Sequence, residues 1–399
     1  MKRIQYIFVL VCAMSLAGCT PRGVLKIPKN IPVDRTLYDP AYADAADAAE
    51  AILLEARKDL GVPGLSAAVS VKGKTVWAGA VGWADVTKGV PATRRTKFRI
   101  GSTSKAVTAT GLARLVDAGV IDLDVPIGAY MEDMPNPKWI RMTPRQLASH
   151  TAGLPGYEEN SDRAGAIGTI MLMRQYDDVV EALDVFDGAK LLYEPGEGFH
   201  YSSFDVNLLS AVMQSATGTP FLELLDRQVF RPLEMASTHA DFQDRSVPGR
   251  AVFYDRAKRG VKPWRHVNLS LKWASGGLVS TSSDLVKLGA AWFDPGFIRS
   301  DTRRIVWTPQ RLKNGEVNIE NYALGWRSDT TTRVFGEERP IKRVHHGGVS
   351  KGAMSWLVLY PEYEMVVALN INARAETFQL FAAREAAITR AFMGVAELR

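Results

Sequence analysis

The sequence predicts an α/β (α+β) fold: one antiparallel sheet, built from both chain ends and flanked by helices, with an inserted, mainly helical lobe. Three observations predict it. Near the N-terminus, "GLSAAVSVKGKTVWAGAVGWAD" reads as two strands turning at Lys72-Gly73. Near the other end, "GAMSWLVLYPEYEMVVALNIN" reads as a second hairpin turning at Pro361-Glu362-Tyr363. Helical patterns dominate between them, from about Ala106 to Gly218. With 399 residues and 46% hydrophobic content, the chain can bury a large core in one domain or two lobes.

The elements follow in order. "MKRIQYIFVLVCAMSLAGC" starts with two positive charges and continues as an apolar run from Ile7 to Ala17. That run has the length of a signal-peptide core and is too short for a comfortable membrane span. It ends in Leu16-Ala17-Gly18-Cys19, which resembles a bacterial lipobox. Residues 1–18 are therefore expected to be removed and Cys19 to be lipidated. Thr20, rather than an aspartate, follows the cysteine; by resemblance to lipoprotein sorting rules this implies a Gram-negative outer membrane, with the protein facing the periplasm. The only other cysteine, Cys12, lies in the segment to be removed, so neither a disulfide nor a thiolate metal site is expected. Residues 19–42 hold Pro21, Pro28, Pro32 and Pro40 without apolar periodicity, and read as an extended tether. The globular part is expected over residues 43–399. Its first helix, through "AYADAADAAEAILLEARKDLG", stops at Gly61. The α/β part is expected at about 43–108 and 272–399, the helical lobe at about 109–271. A last helix runs through "ETFQLFAAREAAITRAFMG".

The net charge of +6 is mild for this length, and no basic cluster is interleaved with aromatics, so nucleic acid is not the expected partner. The six histidines form no helical His-x-x-x-His pair, and adjacent His345 and His346 would point to opposite faces of a strand. No metal and no other cofactor is expected. His150, in "ASHTAGLPGY", is expected to order its loop.

The chemistry is expected at "FRIGSTSKAVTATGLARLVDAG". Lys105 lies three residues after Ser102, so the two side chains can share one helical face. Small and apolar residues surround the lysine in sequence. Burial would lower its pKa, and a neutral amine beside a hydroxyl is a base beside a nucleophile.

This segment resembles the nucleophile helix of the serine β-lactamase and penicillin-binding-protein superfamily. The nearest resemblance is to the branch of class C β-lactamases, D-alanyl-D-alanine carboxypeptidases and related esterases. "MTPRQLASHTAGLPGY", "YEPGEGFHYSSFDVNLLSAVMQSATG", "VFRPLEMASTH", "ASGGLVSTSSDLVKLG" and "VHHGGVSKGAMSWLVLYPEYEMVVALNIN" match further family blocks in the family's order, from about Ala43 to Phe392. The resemblance implies a β-lactamase/transpeptidase-like fold. It implies Ser102 as the acylated nucleophile, Lys105 as its base, Tyr201 in the proton traffic to the leaving group, and His345 at the lysine position of the third motif. The backbone amides of Ser102 and Gly348 would form an oxyanion hole. Ser203, His346 and Gly347 would contact substrate. Two departures matter. Ser203 stands where the family has asparagine, and His345-His346 where it has lysine followed by threonine or serine, so the usual anchors for a β-lactam's amide and carboxylate are altered. The expected function is a lipid-anchored periplasmic serine hydrolase acting on a peptide or ester of the cell envelope. The alternatives are a class C-like β-lactamase or D-alanyl-D-alanine carboxypeptidase, and an inactive envelope binding protein.

Overall fold

The computed structural model describes residues 23–243 and 246–397. Cys19 and the expected signal peptide lie outside them. Seven strands run across the main sheet: β1 (Val33–Leu37), β2 (Gly64–Val71), β3 (Lys74–Asp85), β4 (Arg327–Thr331), β5 (Ile341–Ser350), β6 (Ala353–Tyr360) and β7 (Met365–Ile371), and an eighth, Val90–Pro91, pairs with the end of β3. The spatial order of the seven is β1-β3-β2-β7-β6-β5-β4. The pairs are antiparallel, and β7 of the C-terminal part pairs with β2 of the N-terminal part, so both chain ends build one sheet.

The local signals act as expected. Helix α1 (Ala43–Leu60) ends at Gly61, whose φ of 62° places it in the left-handed region that favours glycine. Lys72 and Gly73 both have positive φ, 48° and 78°, the backbone of a tight turn matched to strand twist. β2, β6 and β7 are buried along their whole length. Alternate side chains serve two cores. Val69, Val367 and Leu369 pack with Leu53 of α1 and Phe392 of the C-terminal helix Arg384–Glu397. Ala68, Val366 and Ala368 face Leu285 and the helical lobe.

Two expectations need correction. The segment expected to be a free tether is docked from Leu25 onward. Leu25 exchanges backbone hydrogen bonds of 2.8 and 2.9 Å with Val261. β1 then pairs with β3, from Val33↔Val81 to Leu37↔Trp77. The physical reason is that β3 has a long open edge, and five residues of alternating burial in "VDRTL" suffice to cover it. The expected start of the globular part at residue 43 therefore moves forward to Leu25. The last helix is also two helices, Phe378–Ala382 and Arg384–Glu397, rather than one. Within residues 109–271 most regular elements are helices, with one hairpin, Tyr254–Ala257 with Gly260–Pro263; a small sheet joins Phe98–Arg99, Leu278–Ser280 and His239–Ala240.

Candidate active site

The strand Phe98–Arg99 leads into a tight turn, Gly101–Thr103, and then into helix α2 (Ser104–Asp117). Ser102 therefore sits in the turn just before the helix, half-buried. Lys105, in the first turn of α2, is only 1% exposed. Its Nζ donates to three oxygens: the Ser275 carbonyl at 2.9 Å, Ser203 Oγ at 3.2 Å and Ser102 Oγ at 3.3 Å. None is a carboxylate. Burial therefore dominates and lowers the Lys105 pKa to about 7, with the Lys272 and Arg327 charges acting in the same direction. A lysine with a large neutral fraction at ordinary pH, within reach of a serine hydroxyl, can take its proton.

Tyr201 precedes helix α5 (Ser203–Thr217), which is capped by the Ser202 hydroxyl accepting from the Phe204 amide at 3.1 Å. Lys105 Nζ lies 4.8 Å from the centre of the Tyr201 ring, and the Arg327 guanidinium 5.1 Å from it. Burial pushes the tyrosine hydroxyl up to about 12, against the pull of the Arg327 charge and of hydrogen bonding with Ser102.

His150 holds this segment from both sides. It sits at φ 61°, just after the short helix α3 (Pro144–Ala148) in the chain. Its carbonyl accepts from the His200 amide at 3.0 Å, and its Nδ1 from the Ser202 amide at 3.4 Å. The amides on either side of Tyr201 thus end on one residue, and the rings of His150 and Tyr201 lie 4.5 Å apart. His150 Nδ1 is also 2.9 Å from Asp205 Oδ2. Burial pushes the imidazole well below its usual range and the carboxyl well above its own, so each disfavours its charged form. The expected loop-ordering role of His150 has its hydrogen bonds here.

β5 supplies the opposite wall. A Cβ on Gly348 would lie 1.8 Å from the Ile100 carbonyl oxygen and 2.8 Å from the Thr103 amide, so only glycine lets this strand touch the nucleophile turn. A Cβ on Gly101, at φ 51°, would lie 2.6 Å from the Val349 carbonyl oxygen. β4 pairs with β5 only from Ile341 to His345, which leaves the Gly347–Ser350 stretch beyond that strand's reach. A cavity of about 390 Å³ opens there, lined by Ser102, Tyr201, Arg327, His345 and Gly347, with an apolar wall of Trp356 and Phe378.

The two histidines separate. His345 lines the cavity, and its Nε2 donates to Asp329 at 3.2 Å. Burial lowers its pKa to about 4 despite that hydrogen bond, so it is neutral. Burial alone would raise Asp329, but hydrogen bonds from His345 and Arg343 outweigh it and hold the carboxyl well below its usual range. His346 is fully buried on the other face of the strand, with Nε2 2.9 Å from the Tyr322 hydroxyl. His346, expected to contact substrate, is not part of the cavity lining; its buried ring packs 6.3 Å from the Tyr201 ring and 5.9 Å from that of Tyr322. Ser203 touches Lys105, and Gly347 lines the cavity.

Four neighbours escaped the sequence reading. Ser275 holds Lys105 through its carbonyl, which no side-chain pattern reveals. Tyr157 is half-buried with its hydroxyl inside and its ring 5.2 Å from Lys272 Nζ; it lies in "AGLPGY", and that block was the available signal. Asp205 follows Ser203 by two residues and meets a histidine far away in sequence. Arg327 pairs across strands with His345, in the register Arg327↔His345, and forms an ion pair with Glu320. Among the described residues, no three His, Cys, Asp or Glu side chains converge to hold a metal.

A half-buried serine, a buried lysine with a lowered pKa, a tyrosine flanked by that lysine and an arginine, and a glycine-lined strand edge together define a site for acyl transfer through a serine. The chain belongs to the β-lactamase family, whose model matches residues 49–391, and is a serine hydrolase of that family with the α/β β-lactamase/transpeptidase fold. It is 28% identical to the mitochondrial serine β-lactamase-like protein LACTB of Bos taurus, over 82% of this chain and 74% of that protein. Among solved structures it resembles the D-amino acid amidase from Ochrobactrum anthropi SV3, with a TM-score of 0.71, 26% identity, and coverage of 89% of this chain and 100% of the amidase. It also resembles a D-stereospecific amidohydrolase from Streptomyces sp., with a TM-score of 0.69, 25% identity, and coverage of 88% and 99%.

Proposed function

We propose that this serine hydrolase cleaves a peptide or ester of the cell envelope through an acyl-enzyme on Ser102, held to the membrane through a lipidated Cys19 in the periplasm-facing outer membrane. The observation that carries the catalytic part is the position of Lys105: buried, ligated only by neutral oxygens, and 3.3 Å from the Ser102 hydroxyl. In this scheme its neutral amine takes the hydroxyl proton as the Ser102 oxygen attacks the substrate carbonyl. The amides of Ser102 and Gly348 receive the oxyanion, where preorganised donors contribute several kcal/mol. Lys105 and Tyr201 return the proton to the leaving amine or alcohol. Water then attacks the acyl group by the reverse path, releasing the acid and Ser102. His345 is a neutral donor or acceptor at the cavity wall. Ser203 positions Lys105.

A second reading has one observation in its favour. Arg327 lines the same cavity as Ser102 and brings a permanent cation to it, which a β-lactam or a peptide C-terminus could meet with its carboxylate. Glu320 already pairs with that guanidinium. That neutralisation, with Ser203 in place of an amide, favours the ester or peptide reading over the β-lactamase one.

The ranking is testable on a single preparation. Short-chain p-nitrophenyl esters need only the nucleophile, base and oxyanion hole, and should be turned over. Nitrocefin lacks two of its usual anchors, each worth ~1.5–3 kcal/mol, so its kcat/KM should fall about 10²-fold or more below that of an efficient β-lactamase. Ser102→Ala is the blank for both. Nitrocefin turnover at the level of an efficient β-lactamase would promote the second reading.

A further inference from the structure

The C-terminal half of helix α4 (Arg163–Met171) and Met173 just after it expose apolar side chains. Ile167 is 59% exposed, Ile170 66%, Met171 52% and Met173 77%. Positions 167, 170 and 171 fall on one helical face. The helix is tied to the hairpin Tyr254–Ala257/Gly260–Pro263: the Arg265 guanidinium donates to the Ile170 and Met171 carbonyls at 2.7 and 2.8 Å. That hairpin exposes Lys258, Arg259 and Lys262, none of which forms an ion pair among the described residues. The first described residues lie against the same hairpin. Leu25 is bonded to Val261, and a Cβ on Gly260 would lie 2.1 Å from the Leu25 carbonyl oxygen, so the strand rests directly on the turn.

Apolar side chains, unpaired cations and the start of the described chain are thus joined through one hairpin, and together they make up the candidate face. Cys19 is six residues before Leu25, which gives about 20 Å of extended chain at most. We propose that this face docks on an anionic phospholipid surface, with Ile167, Ile170 and Met173 entering the interface and Lys258, Arg259 and Lys262 meeting the headgroups. The anchoring part rests on the lipidated Cys19 of the function proposed above; the docking face itself does not need it. Interfacial helices combine these two features, an apolar face and flanking cations, and cations beside an anchor strengthen its hold on anionic lipid.

The test uses the full-length protein with an environment-sensitive fluorophore on Met173→Cys, or on Ile319→Cys as an exposed control, in vesicles of phosphatidylcholine with or without phosphatidylglycerol. The label at 173 should be quenched by doxyl-lipid in the phosphatidylglycerol vesicles and the label at 319 should not. Lys258→Glu, Arg259→Glu and Lys262→Glu together should lower vesicle partitioning of Cys19→Ala protein by about 10²-fold in low salt. The two ideas fail separately. Acylated protein that floats with either vesicle while the 173 label stays in water overturns the docking face and leaves the anchor. Protein lacking acylation that still binds phosphatidylglycerol vesicles with its 173 label quenched keeps the face and removes the anchor. A 173 signal that changes with protein concentration in the absence of lipid assigns the face to a second copy of the chain and overturns the proposal.

Discussion

Lys105→Arg should be nearly inactive, although it keeps the positive charge. The wild-type amine is buried, and burial brings its pKa to about 7, so a large fraction is neutral at ordinary pH. Guanidinium stays protonated and cannot accept the Ser102 proton. The larger head must also fit among Ser102, Ser203 and the Ser275 carbonyl, which are 2.9–3.3 Å from the present Nζ. The expected loss in kcat/KM for a p-nitrophenyl ester is about 10²-fold or more. The sign of the wild-type pH profile follows from the same group. The reactive form is the neutral amine, so activity should rise as pH passes upward through about 7 and be lost below it. An active arginine variant with a profile flat across that range would mean that the lysine supplies only charge or packing.

Gly348→Ala should be the most damaging one-carbon change in the site. The added Cβ would fall 1.8 Å from the Ile100 carbonyl oxygen and 2.8 Å from the Thr103 amide, both backbone atoms of the nucleophile turn. Neither can rotate away, so β5 must separate from the turn, and the Ser102 and Gly348 amides separate with it. Loss of one oxyanion donor costs about 10²–10³-fold in kcat. The overpacking should also lower stability by about 1–3 kcal/mol. Gly394→Ala is the matched control: it lies in the C-terminal helix with nothing within 4 Å of an added Cβ, and should leave turnover unchanged. If Gly348→Ala keeps wild-type kcat, measured beside a thermal melt, the strand does not frame the reacting centre.

What the sequence made legible was local. Gly61, Lys72-Gly73 and the apolar runs of β2, β6 and β7 each carry their own signal within a few residues. Ser102 and Lys105 are three apart, and Tyr201 lies just before a helix. What stayed hidden depends on pairs far apart in the chain. Arg327 meets His345 only through strand register. His150 meets Asp205 across a loop and a helix start. β1 forms because β3 leaves an edge open, which the prolines around "VDRTL" conceal. The position of His346 was open to a simpler argument. Strand alternation puts the two neighbours on opposite faces, so His346 packs against Tyr201 and Tyr322, which takes its Nε2, while His345 lines the cavity.

The central claim is covalent catalysis at Ser102. Its most direct test is to label the full-length protein with a fluorophosphonate and map the adduct by peptide mass spectrometry, with ester turnover followed in parallel. The account predicts one adduct, on Ser102, together with loss of turnover, and neither label nor turnover in Ser102→Ala. An adduct on another residue, or a Ser102→Ala protein that hydrolyses the ester at the wild-type rate, would contradict it.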